Sequence, residues 1–446
     1  MDRQLRGEDS HDEVTIPEAM QLALGWHREG RVRTAAEVYR RILAHNPDHA
    51  DALHFLGIAL HQLGQSANGA ALLRRALELV PDYAEASNNL GNILKETGDL
   101  AGAEEAYRRA LEFCPDNTDT LNNLGVVLKE RGLLDDAVTT FEQALALDPR
   151  HADLWHNLGN TLKKLGRTDE ALTAYRQAII LKPYHTEAYR NLGRMLYIAG
   201  RSTEAAEVYR QWLVRDPDNP VARHLLAACS REEIPERASD AYVAATFDTF
   251  ATSFDDVMAR LNYRAPALAL DAVRHVCGEP AGTLSVLDAG CGTGMCGPLL
   301  RPYAARLTGV DLSCGMLDRA GGRGVYDDLV QTELTAYLAR QARRFDLIIS
   351  VDTLCYFGEL GAVVAAAAGA LRQGGWFVFT LEAGEDNGVE GYALQPHGRY
   401  NHAAGYVRRV LGEAGLHVMS LGRDFLRSEG GQTVEGLVAV ARCDAR

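Results

Sequence analysis

No Cys-x-x-Cys pair occurs in this chain, although it contains eight cysteines. That absence argues against both a zinc site and a disulfide framework, and no metal is expected. An excess of basic residues is missing too, the formal net charge being −14. Generic nucleic-acid and anionic-membrane binders present basic surfaces, so neither a nucleic acid nor a membrane is an expected partner. Long apolar runs are also lacking. The stretch Val363 to Leu371 falls short of the roughly 20 residues that a spanning helix requires, and it runs into Arg372-Gln-Gly-Gly. It reads as a helix packed on a sheet. With no signal-peptide pattern at the amino terminus, the cytoplasm is the default location.

What is present is periodicity. The 446 residues, 47% hydrophobic and 24% charged, leave room for two or three cores. Pro47, Pro81, Pro115, Pro149, Pro183 and Pro217 recur every 34 residues. Two glycine series keep the same period: Gly57, Gly91, Gly125, Gly159 and Gly193, and Gly30, Gly64, Gly98, Gly132, Gly166 and Gly200. So do Tyr39, Tyr107, Phe141, Tyr175 and Tyr209, with Leu73 the exception. Two helices per period, a glycine at their crossing and a proline ending the unit make the tetratricopeptide pattern. Six units run from about Ile16 to Asn219, and Pro220 to Cys229 reads as a closing helix. The first unit has Ala23 in place of the crossing glycine, drift that a terminal repeat with one neighbour tolerates.

The inner face of the array repeats as well. Asn89, Asn123, Asn157 and Asn191 share one register position, and Lys95, Lys129 and Lys163 another, six residues on. An asparagine offers donors and an acceptor, so a column of them can pair with an extended peptide backbone without reading its sequence. The lysines add attraction for acidic groups. This ladder resembles that of O-linked N-acetylglucosamine transferase, whose inner asparagines hold protein substrates, and the resemblance implies a protein or peptide in the concave groove. The competing reading has the same residues bonding to neighbouring helices.

Beyond the repeats the period disappears and a different pattern takes over. An apolar run, Leu284 to Leu287, meets Asp288, followed by Gly290, Cys291, Gly292 and Gly294. A second apolar run, Leu307 to Val310, ends in Asp311. Glycines allow a tight turn and close approach of a ligand, and an acid after the second strand can accept hydrogen bonds from ribose hydroxyls. Gly292-Thr-Gly-Met-Cys-Gly297 also spells a dinucleotide loop. Asp288 argues otherwise, because a carboxylate there would repel a pyrophosphate. A ligand with an amino group, a sulfonium and no phosphate suits it better, and S-adenosylmethionine answers that description. Cys291 reads as a small residue within the loop.

From about Asp240 to Arg442 the chain resembles a class I S-adenosylmethionine-dependent methyltransferase. The resemblance rests on Val286-Leu-Asp-Ala-Gly-Cys-Gly-Thr-Gly294, Gly309-Val-Asp-Leu-Ser313, Phe345-Asp-Leu-Ile-Ile-Ser350 and Leu371-Arg-Gln-Gly-Gly-Trp-Phe377. It implies that Asp288, Gly290, Gly292 and Gly294 hold the methionine end and Asp311 the ribose. Leu312 and Met316 would flank the adenine, and Glu333 with Leu334 would meet its amino group. Asp352 and Tyr356 would face the methyl donor and acceptor. No Asn-Pro-Pro-Tyr motif follows the fourth strand, which counts against nucleobase and glutamine acceptors. Glu382, Arg399, His402 and Tyr406 form a polar and aromatic cluster, so His402 is a candidate for the acceptor pocket beside Tyr356. The segments Tyr242 to Asp255 and Leu261 to Pro266 would close over the cofactor.

The whole chain resembles predicted bacterial methyltransferases that carry tetratricopeptide repeats. The expected fold is α + α/β: an all-α superhelix, then a Rossmann-like domain with a mostly parallel sheet and a carboxy-terminal antiparallel hairpin. The expected divisions are a disordered segment at 1–13, the array at 14–230, a connector at 231–239 and the methyltransferase domain at 240–446. Three functions fit. The first is methyl transfer to a protein or peptide presented by the repeats. The second is transfer to a small molecule or glycan with the repeats as a docking arm. The third is a scaffold with an inactive cofactor domain.

Overall fold

The computed structural model describes residues 15–385, 391–429 and 432–444. The segment 1–13, and residues 430 and 431 of the expected hairpin turn, lie outside them. The chain divides into two compact units, one extending to Ala188 and the other starting at Tyr189.

The first unit contains helices α1 (Ile16–Arg28) to α10 (Thr168–Leu181), taken in antiparallel pairs of 13 and 14 residues. Local chemistry sets their ends. Asn117 accepts from the amide of Thr120 at 2.9 Å to begin α7 (Thr118–Glu130), and Asp99 accepts from Gly102 to begin α6 (Leu100–Phe113). Each first helix of a pair stops at a glycine with positive φ, such as Gly98 at +87°, a conformation that side chains strain to adopt. The other glycine series works by space. A Cβ on Gly91 or Gly125 would lie 2.6 Å from the ring of Tyr107 or Phe141, and one on Gly159 would lie 2.8 Å from Tyr175. These rings are fully buried. The periodic aromatic therefore fills the room that the periodic glycine vacates.

In the second unit, α11 (Thr186–Ile198) crosses the boundary and α12 (Ser202–Arg215) and α13 (Pro220–Ser230) follow. By repeat period these helices belong with the array. By packing, residues from Tyr189 on fall in the second unit, where Ala227 and Ala228 of α13 meet Leu394 and Tyr400. His224 of α13 bonds the carbonyl of Gly398 at 2.9 Å and stacks on Tyr242 at a ring separation of 4.0 Å. Arg194 of α11 donates to Glu429 at 2.8 Å.

Helices α14 (Asp240–Phe250), α15 (Phe254–Arg260) and α16 (Ala265–Cys277) lead to a nine-stranded sheet. Strands β1 (Leu284–Ala289), β2 (Ala304–Asp311), β3 (Asp328–Gln331), β4 (Phe345–Ser350) and β5 (Leu371–Ala383) are parallel, in the order β3-β2-β1-β4-β5. Two short strands, β6 (Tyr392–Leu394) and β7 (Tyr400–His402), extend the end of β5. Three residues are too few for an alternation to show, so these two strands left no mark in the sequence pattern. The long hairpin β8 (Leu416–Glu429) and β9 (Gln432–Cys443) closes the sheet, β9 running antiparallel to β5. The fold class is therefore α + α/β as the sequence implies. Helices cover both faces, which is why the β4 residues Phe345, Leu347, Ile348 and Ile349 are all buried and apolar. Among the described residues, no helix is long and apolar enough to cross a membrane.

Candidate cofactor and acceptor site

The carboxyl ends of β1, β2, β4 and β5 carry the acids and the turns of interest, the edge where parallel sheets present ligand sites. The amides of Gly290 and Cys291 both donate to the carbonyl of Val310, at 2.8 and 2.9 Å, and so tie the loop to β2. The loop glycines serve different ends. A Cβ on Gly290 would strike Thr353, and one on Gly294 would lie 3.0 Å from the ring of Tyr326. Gly292, with φ of +53°, has nothing within 4 Å of where a Cβ would stand. Only at Gly292 does the motif open into free space.

Two carboxylates flank that opening. Asp288, in β1, is buried, and its Oδ2 accepts from the Tyr326 hydroxyl at 2.7 Å. Burial raises its pKa to about 7, a shift that the tyrosine bond opposes and Asp311 reinforces. Asp311 accepts from the amides of Gly292 and Ser313, both at 2.9 Å. Burial raises its pKa also, against those bonds. Each oxygen that takes one amide keeps a second lone pair for a further donor. Among the described residues, no cationic side chain hydrogen-bonds or pairs with either acid. The pair therefore fits a ligand bringing positive charge and hydroxyl donors, and fits phosphates poorly.

Helices α14 and α15 close one side. Asp248 accepts from the Ser313 hydroxyl at 2.5 Å and from the amide of Gly315 at 3.2 Å, at the start of α18 (Cys314–Gly322). Asp255 accepts from Thr293 at 2.5 Å and pairs with Arg323. Met316 is buried, and Leu312 is half-buried. Leu334 is buried, and Glu333 accepts from the amides of Thr335 and Ala336 at 2.9 and 2.7 Å as the cap of α19 (Leu334–Ala339). The Glu333 carboxylate is thus already engaged in holding its own helix.

Asp352, at φ +50°, joins a dense ionic cluster. It accepts from Arg427 at 2.7 Å and from Thr380 at 2.9 Å, while Arg427 also pairs with Glu382. Arg399 bridges Glu382 at 2.6 Å and Glu429 at 2.7 Å. Burial raises the Glu382 pKa, but Arg399, His397 and Arg427 outweigh it and hold the group ionised. Tyr356 meets Phe247 of α14 edge-on at 5.4 Å, and burial pushes its hydroxyl pKa well up. His402 requires a correction. It exposes no surface, bonds the carbonyl of Gly358 at 3.2 Å and stacks on Tyr406. Burial lowers its pKa to about 4. It is a buried residue of the β5–β7 region, and its Nδ1 has no hydrogen-bond partner among the described residues.

Sequence reasoning missed Tyr326, Thr353 and Arg427, and it named Asp248 and Asp255 only as part of the segment Tyr242 to Asp255. For Tyr326 a signal existed. Gly297 and Gly309 had no turn to explain them, and both lie against its ring. Among the described residues, no cluster of three or more His, Cys, Asp or Glu could hold a metal.

In the repeats, Asn89 bonds His54 at 2.8 Å, Asn123 bonds Asn92 at 3.2 Å and Asn157 bonds Asn122 at 2.9 Å. Each partner sits on the first helix of the preceding repeat, so these asparagines link repeat to repeat. Asn191 holds the same register position in α11. Lys95 and Lys129 are half-buried, the latter with a pKa lowered by desolvation, and Lys163 is exposed.

Residues 287–379 match a family model described as a methyltransferase domain. Tetratricopeptide repeat models match residues 28–83, 82–150, 116–181 and 156–220. The human methyltransferase-like protein 27 is 40% identical over 84 residues, 19% of this chain and 34% of that protein. A ubiquinone biosynthesis O-methyltransferase of Thiobacillus denitrificans is 30% identical over 161 residues, 32% of this chain and 68% of that enzyme. For several curated relatives the chain spans only a third to a half of their length. Among solved structures, the tetratricopeptide protein YrrB overlays 42% of this chain and 97% of its own at 23% identity, with a TM-score of 0.37.

Proposed function

Because the chain belongs to the S-adenosylmethionine-dependent methyltransferases that carry tetratricopeptide repeats, we propose that residues 240–446 bind S-adenosylmethionine and move its methyl group to an acceptor held on a protein or peptide. The observation that carries the reading is the pair of carboxylates, Asp288 and Asp311, on either side of the open backbone at Gly292. When bound, the cofactor supplies an activated methyl on a sulfonium, ready for in-line displacement. The chain's own part is placement. Asp288 would receive the amino end, Asp311 the ribose, and Met316 and Leu312 the adenine. Gly290, Cys291 and Gly294 shape the loop, and Leu334 lines the same edge.

Asp352 is held rigidly by Arg427 and Thr380, and Tyr356 with Phe247 walls the space where an acceptor would meet the methyl group. Holding two reactants in register can supply roughly 7–11 kcal/mol of the barrier reduction. Tetratricopeptide arrays generally bind proteins or peptides, which supports a macromolecular acceptor. The inner lysines Lys95, Lys129 and Lys163, with the side-chain amides of Asn89, Asn123, Asn157 and Asn191, form the proposed contact surface.

A second reading, transfer to a small-molecule hydroxyl with the repeats as a docking arm, is favoured by the relatives named as ubiquinone biosynthesis O-methyltransferases. One experiment separates the two. The protein is incubated with methyl-labelled S-adenosylmethionine and a size-fractionated lysate, with Asp288→Ala as the blank. Label in macromolecules supports the first reading. Label confined to small molecules supports the second, and cofactor binding with no label anywhere supports an inactive scaffold.

A further inference from the structure

Three glycines of the second unit face one side chain. A Cβ on Gly294 or Gly309 would lie 3.0 Å from atoms of the Tyr326 ring, and one on Gly297 would lie 2.8 Å away. They belong to three segments: the loop after β1, the first turn of α17 (Gly297–Leu300), and β2. Such a convergence makes a slot for a flat ring. Tyr326 enters it from the link between α18 and β3, and at the end of the slot its hydroxyl donates to Asp288. Among the described residues, no other side chain hydrogen-bonds that carboxylate.

We propose that Tyr326 is a positioning residue for cofactor binding, holding the Asp288 carboxyl in a fixed orientation through its hydroxyl. The inference rests on the reading of Asp288 as the group that receives the cofactor's amino end. The charged and titratable groups facing Asp288 are few. Asp311 approaches from β2, Cys291 from the loop and Cys296 from the residue before α17. Burial pushes both thiol pKa values well up, so both are neutral. Asp311 repels the Asp288 charge. The phenol alone opposes both burial and that repulsion. Removing the hydroxyl moves the Asp288 pKa further up, so that at neutral pH the group is mostly protonated and has lost its attraction for a cation. At higher pH it ionises again.

Tyr326→Phe keeps the ring in its slot and deletes only the hydrogen bond. Calorimetry with S-adenosylmethionine is expected to show a loss of affinity on the order of tenfold at pH 7, the size expected for a hydrogen bond to a charged group, shrinking toward wild type at pH 9. Gly297→Ala keeps the phenol in the chain but puts a methyl group 2.8 Å from its ring and hydroxyl, which pushes both off Asp288, and the same pH-dependent loss is expected. A loss equal at both pH values, or no loss, overturns the proposal, since a packing defect has no reason to titrate. Asp288→Asn in the same titration separates the two layers. If it leaves affinity unchanged, the reading of Asp288 itself fails. If it weakens binding while Tyr326→Phe does not, only the role of Tyr326 fails.

Discussion

In the repeats, Gly91, Gly125 and Gly159 each stand against the aromatic ring of their own pair's second helix; in the sheet unit, Gly294, Gly297 and Gly309 converge on the one ring of Tyr326. The packing device is the same, a side chain omitted so that a ring can lie flat on backbone. What hangs on the ring differs. Phe141 has no polar group, and Tyr107 and Tyr175 donate to Asn92 and Asn160 of the first helix, so their yield is helix packing. Tyr326 donates to a buried acid at a sheet edge. A glycine conserved in spacing and a glycine in a binding motif can thus answer to one physical need. Polar groups divide the two regions further. Asn89, Asn123 and Asn157 bond across repeats, and among the described residues no cationic side chain pairs with the carboxylates beside Gly292.

Breaking this contrast should produce effects of graded size. The largest is expected from Arg427→Ala, which strips Asp352 and Glu382 of a buried partner and should cost about 3–5 kcal/mol by urea denaturation. Asp288→Asn acts in the opposite sense on the ligand-free protein. The folded chain holds the Asp288 proton more tightly than an unfolded chain does, so its contribution is fully present below about pH 4 and is lost as pH rises through about 7. At pH 8 the variant should therefore melt above wild type, at about 1.4 kcal/mol per unit of the removed shift, while its cofactor affinity falls on the order of 100-fold. Gly125→Ala should destabilise the repeats by about 1–3 kcal/mol and leave cofactor affinity untouched. A change in affinity there would couple two glycine series that the contrast keeps apart. The smallest effect is expected from Asn123→Ala, about 0.5–1.5 kcal/mol of stability for its bond to Asn92, read by thermal melting.

Much of the candidate site was legible because its residues sit where a linear pattern changes. Asp288 and Asp311 end apolar runs, and Gly292 interrupts a turn; strand ends are local events. His402 was misleading for the same reason. It stands among polar and aromatic neighbours in the chain, yet β7 turns it into the core against Gly358 and Tyr406. The asparagine ladder was visible as a period, but a period records position on a helix and is silent on which neighbour each amide meets.

Sequence by itself determined the helical repeat with its 34-residue period, the α + α/β order and the parallel strands with their acid-ending edges. Those depend on hydrophobic spacing and backbone conformation, which act within a few residues. Tertiary structure decided which glycine opens to a ligand, that Tyr326 reaches Asp288 across 38 positions, and that Arg427 reaches Asp352 across 75. It also decided that the closing helix α13 packs against Leu394 and Tyr400 of the sheet. Burial and hydrogen bonding are properties of a neighbourhood, and a neighbourhood is complete only when distant segments have met.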